Sequence, residues 1–197
     1  MQPSPVVIHK ALMALATITG LTFITACNAA LVTDPAAKNY VPTPGSTVTV
    51  PQRIEVPGGQ TRIFFQRGEI VKKASGLNLY KANCNFEINT LAETPRYIET
   101  GTYTVTRTTR QEREVVLFKP QQYASLAING MVSKGDDGPG MYFEEVRMTL
   151  RADQQSDIRE LACRGVMTDP GWVEPPTLAE IREALGKHAS IKVPEEK

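Results

Sequence analysis

The chain has 197 residues, a formal net charge of +1, 41% apolar residues and 22% charged residues. That length and balance suit one globular domain with extensions, and they exclude the clear basic excess that marks most nucleic-acid binders. Fourteen prolines and 14 glycines favour turns and extended connections over long helices.

The N-terminal segment is nearly uncharged. Lys10 is its only firm positive charge, and residues 11–26 (ALMALATITGLTFITA) form an uncharged run of 16. This matches the charged, apolar and small-residue parts of a secretory signal. A permanent span needs about 20 apolar residues, so the run is short for that role. It ends on Ile24-Thr25-Ala26-Cys27, an aliphatic residue, two small residues and then Cys. This resembles the lipobox of bacterial lipoproteins. The resemblance covers residues 1–28 only. It implies removal of a signal peptide at 1–26, a diacylglyceryl group on the Cys27 thiol, and a membrane anchor with no protein span. Two or three acyl chains hold a protein firmly where one does not. The alternatives are an ordinary secretory signal with a chance Cys, and an uncleaved anchor. Asn28, in place of Asp, implies outer-membrane sorting with the domain facing the periplasm; the outer leaflet of the inner membrane is the alternative.

Residues 27–46 contain three prolines and no strand or helix period. They predict an extended tether, able to reach about 60 Å from the lipid.

Residues 47–168 predict an all-β domain, an antiparallel β-sandwich or barrel. Short alternating pieces occur at 47–50 and 53–56, with the turn Pro57-Gly58-Gly59 behind them. Strands rich in β-branched and aromatic residues follow at 61–67, 84–89 and 102–109. In 102–109, Tyr103 and Val105 share one face and Thr102, Thr104, Thr106 and Thr108 the other. Residues 114–118 read as a buried-type run. Residues 142–151 place Val146, Met148 and Leu150 on one face. Glu145, Arg147, Thr149 and Arg151 take the other. Residues 158–166 form the last strand.

Residues 169–197 predict a linker, one C-terminal helix and a loose tail. Thr177 and Glu180 form a capping box, and Ile181, Ala184 and Leu185 an apolar stripe. The helix ends near 186–188, leaving IKVPEEK as the tail. Trp172 is expected to pack the linker against the domain.

With Cys27 lipidated, Cys84 and Cys163 remain, an even pair in an oxidising compartment. Strand phase puts Cys84 with Phe86 and Ile88, and Cys163 with Leu161. Both point toward the core, so a disulfide is expected. It closes a loop of about 80 residues, worth about 4.5 kcal/mol by chain entropy.

Acid–base chemistry is sparse. His9 lies in the signal and His188 at the helix end, so a hydrolase would have to recruit His188. No zinc-ligand spacing is present, and no cofactor is implied. Asp136 and Asp137, in the loop GDDGPG, are weak candidates for a cation; the residue types equally make a polar turn. Glu144 and Glu145 are strand neighbours that face opposite sides, so they cannot flank one bond. The run RTTRQERE at 107–114 reads as a solvated hairpin. The expected function is therefore a non-enzymatic, membrane-anchored envelope lipoprotein that binds or scaffolds another envelope protein. The alternative is a module binding a small ligand, lipid or glycan.

Overall fold

A computed structural model of the chain describes residues 34–115, 140–152 and 157–194. The expected signal at 1–26, Cys27, and the segment with Asp136 and Asp137 lie outside the described residues.

The domain is all-β with one helix, as the alternation predicts. In chain order the strands are β1 (Thr47–Val50), β2 (Ile54–Val56), β3 (Arg62–Gln66), β4 (Glu69–Val71), β5 (Asn83–Ile88), β6 (Arg96–Ile98), β7 (Gly101–Val115), β8 (Met141–Arg151) and β9 (Ile158–Arg164). Helix α1 (Leu178–Leu185) and strand β10 (Ser190–Lys192) follow. Eight strands form one antiparallel sheet in the order β10-β1-β7-β8-β9-β5-β3-β4, and β2 and β6 form a separate ribbon. Helix α1 touches β3 and β5 near one end of that order and β10 at the other. A flat sheet cannot bring those ends to one helix. The sheet curls into a half-barrel with α1 across its mouth.

The inner face holds the core. Phe65 and Phe86 meet edge to face with centroids 5.5 Å apart, the favoured aromatic geometry. Ile181 and Leu185 of α1 are fully buried in the same cluster. The interior is filled by side chains, in the manner of a sheet that buries one face under a helix. Thr177 caps α1 as expected. Its hydroxyl accepts from the Glu180 N–H at 3.2 Å, while the Glu180 carboxylate accepts from the Thr177 N–H at 2.8 Å.

Between β3 and β4 runs a two-residue turn, Arg67-Gly68, with φ of 53° and 75°. Positive φ at both positions is the hairpin turn that matches strand twist. The turn seats against the end of α1. Gly68 N–H donates to the Ala184 carbonyl at 3.1 Å. A Cβ on Gly186 (φ 53°) would stand 2.4 Å from the Gly68 Cα, so the contact requires glycine.

Three expectations are corrected. The tail is not loose throughout: Ser190–Lys192 pairs with β1, and Ile191 is buried. Three residues are too few to show a period, and their partner is more than 140 positions away. The tether is not free over its whole length. Tyr40 is buried, the Pro42 carbonyl accepts from the Thr108 hydroxyl at 2.6 Å, and Gly45 N–H donates to the Val105 carbonyl at 2.8 Å. Trp172 is not packed into the domain but 78% exposed; its backbone N–H closes a local turn onto the Asp169 carbonyl.

Candidate functional site

The outer face of the sheet should be plainly solvated by its residue types, yet three of its carboxylates are buried. Glu87, Glu145 and Glu160 are 6%, 1% and 6% exposed. What covers them is arginine. Glu145 accepts from Arg113 and Arg164 Nε, both at 3.0 Å, and from Arg147 Nη1 at 3.4 Å. Glu87 accepts from Arg62 Nε at 2.8 Å and Arg159 Nη1 at 2.9 Å. Arg147 donates to Glu160 and stands 3.7 Å from Glu87. Buried charges persist only when paired and hydrogen-bonded, and each of these is.

The pairing shows in the titration of two groups. Burial opposes ionisation of Glu87, but the hydrogen bond and charge of Arg62, with the charge of Arg159 and a hydrogen bond to Glu160, outweigh it. Its carboxyl is held below the ordinary value of 4.5. Burial likewise opposes the charge on Arg147, and Glu160, Glu145 and Glu87 together overcome it, raising its pKa.

Two β-bulges build the site. Between β7 and β8 the register shifts from Val105↔Leu150 to Arg107↔Thr149, leaving Thr106 as an extra residue. The alternation therefore reverses. Thr108 turns inward to Pro42, contrary to the face expected from the sequence. Arg107, Thr109, Gln111 and Arg113 turn outward. The second shift lies between β5 and β9, where Glu87↔Glu160 is followed by Ile88↔Ile158 and Arg159 is extra. Bulges re-aim side chains in this way and cluster beside functional sites.

Both bulges open onto one depression of about 360 Å³ on the outer face. Arg107, Arg113, Arg147 and Arg159 line it, with Glu160 as the sole carboxylate among the described residues. Thr109, Gln111 and Thr149 supply neutral polar groups. Gln111 Oε1 already accepts from Arg113 Nη2 at 2.8 Å, so its amide is left to donate. Arg107 makes no ion pair among the described residues.

The same stretch of β7 has an open edge. Strand β1 pairs with β7 only at Gly101, Thr102, Tyr103 and Thr104, and Gly45 and Ser46 take up Val105. From Thr106 to Val115 that edge has no backbone partner among the described residues.

The other residues singled out by the sequence are placed as follows. Cys84 and Cys163 face each other in the β5–β9 ladder and are joined by a disulfide, as strand phase predicts. Glu144 and Glu145 diverge to opposite faces, Glu144 taking a bidentate hold from Arg110 and Glu145 joining the outer network. His188 lies with its ring centroid 5.7 Å from that of Phe65, and its buried Nε2 has no hydrogen-bond partner among the described residues. No cluster of three metal-ligating side chains occurs among the described residues, and no described helix is long and apolar enough to cross a membrane. The charged run 107–114 is mostly exposed and lies within β7, which pairs antiparallel with the next strand β8, as expected of a solvated hairpin. Its role was hidden because the sequence shows charges and not the bulge that sorts them.

No protein-family model, no curated protein and no solved structure matches the chain.

Proposed function

We propose that the chain is an envelope lipoprotein, anchored through Cys27 in the outer membrane and facing the periplasm, whose β domain scaffolds another envelope protein by strand addition. The observation that carries this reading is the open edge of β7 over residues 106–115. Ten residues of extended strand span about 33 Å. The N–H and C=O groups that point to this edge, unpaired among the described residues, are a template for a partner strand. Arg107, Arg110, Glu112, Arg113 and Glu114 along that edge deter indiscriminate pairing, because a partner must match their charges. The lipobox supports the anchoring step, since Cys27 stands where a lipoprotein signal ends.

The test is photo-crosslinking in living cells, with the full chain at native expression and the reactive group at Glu112. The expected result is an adduct with one envelope protein, lost when Cys27→Ser removes the anchor and absent when the probe sits at the exposed Leu91. The reading is abandoned if Glu112 yields no adduct.

A further inference from the structure

We propose that the depression over β7, β8 and β9 is a binding site for a phosphate-bearing ligand. This does not rest on the strand-addition reading, which uses the backbone edge of β7 rather than its outer face.

The lining argues for an anion. Four guanidinium groups meet one carboxylate there, and that carboxylate, Glu160, is already occupied by Arg147. The remaining lining groups are the hydroxyls of Thr109 and Thr149 and the donating end of the Gln111 amide. A ligand entering this space meets hydrogen-bond donors and almost no free acceptor. Its volume, about 360 Å³, lies in the range of small-molecule sites, but a mostly polar lining calls for a hydrophilic, charged occupant.

Arginine is present in excess of what the fold uses. Glu87, Glu145 and Glu160 are satisfied by Arg62, Arg113, Arg147, Arg159 and Arg164. Arg107 is surplus. It reaches the depression only because the bulge at Thr106 turns it outward, just as the bulge at Arg159 delivers that side chain from the other flank. Two separate breaks in strand register thus converge on one cationic space. The buried glutamates fix the guanidiniums of Arg113, Arg147 and Arg159 before any ligand arrives. Such preorganisation lowers the ordering cost of binding.

Phosphate fits this arrangement. The guanidinium fork matches its oxygens bidentately. A phosphomonoester near neutral pH carries between one and two negative charges on three acceptor oxygens, so one group can span neighbouring arginines. Two sources share that chemistry, a free phosphate compound and the headgroup of a phospholipid.

The experiment is calorimetric titration of the full chain in non-ionic detergent at low salt, with inorganic pyrophosphate in one arm and dihexanoyl phosphatidic acid in the other. Stoichiometric binding is expected, weakening as salt rises. Arg107→Gln is expected to weaken it about tenfold without shifting the thermal midpoint, since Arg107 bridges no carboxylate among the described residues. Thr109→Glu, which adds a carboxylate to the lining and removes no ion pair, should abolish it; Lys187→Gln, elsewhere on the surface, should leave it unchanged. Tighter binding of phosphatidic acid identifies a lipid headgroup, and equal or tighter binding of pyrophosphate identifies a free phosphate compound. The proposal is overturned by no binding in either arm, or by binding that ignores both Arg107→Gln and Thr109→Glu.

Discussion

Glu87 on β5 and Glu160 on β9 stand directly opposite each other in the antiparallel ladder, a like-charge pair that would push the strands apart were Arg147 not placed between them. Arg147 comes from β8, on the far side of β9. It donates to Glu160 and lies 3.7 Å from Glu87. Its own strand also supplies Glu145, which it contacts at 3.4 Å. One cation therefore joins three buried carboxylates on three adjacent strands.

Loss of that cation is costly. Arg147→Met keeps the stem but strips the charge from a side chain only 18% exposed. Leaving buried carboxylates without a partner typically costs about 3–5 kcal/mol. Urea unfolding of the variant is expected to show a loss of about 3 kcal/mol. A loss under about 1 kcal/mol would mean that the other arginines hold the glutamates unaided.

The network makes the domain acid-sensitive, with a definite sign. The folded-state pKa of Glu87 lies below 4.5. Ionised Glu87 therefore adds stability that is present above the unfolded value and lost as pH falls through the folded one. Denaturant midpoints measured from pH 7 down to pH 3 should fall more steeply in the wild-type chain than in Glu87→Gln. The gap between the two should narrow below about pH 4.5; a gap constant with pH would remove Glu87 from the account.

Cys84 and Cys163 tie β5 to β9 at the centre of the sheet, 79 positions apart in the chain. Opening that loop in the unfolded state favours unfolding. The Cys84→Ala, Cys163→Ala double variant should lose about 2–5 kcal/mol. A reducing agent should shift the wild-type thermal midpoint downward and leave the double variant unmoved.

Strand β10 closes the edge of β1 next to the tether. Ile191→Ala removes a buried side chain from the line where Val48 faces it, at an expected cost of about 2–4 kcal/mol. A change within about 0.5 kcal/mol would show that the last strand adds nothing to the fold.

Much of the architecture was legible one strand at a time. Val146, Met148 and Leu150 alternate with charged or polar neighbours, and period-2 alternation with β-branched and aromatic residues marks a half-buried strand wherever it occurs. Cys84 and Cys163 each fell on the core phase of their strand, so their pairing followed from local pattern and the compartment expected from the N-terminal segment. The capping box at Thr177 and Glu180 was equally local. These features depend on residues within a few positions of each other. The likeness of Ile24–Cys27 to a lipobox is likewise a matter of four adjacent residues, and these lie outside the described residues.

The arginine depression is of another kind. The alternation of 102–109 assigns Thr106 and Thr108 to one face, and the structure turns Thr108 to the other, because Thr106 is an extra residue opposite β8. A bulge is a mismatch in count between two strands and has no mark in either strand alone. The same holds for Arg159, for the partner of Ile191, and for the three carboxylates gathered by Arg147. The sequence by itself determined which residues alternate, which end a helix and which cysteines face inward, since sterics and burial act locally. Only the tertiary structure decided which charges meet, because strand register is set between segments far apart in the chain, and one residue of register moves every side chain to the opposite face.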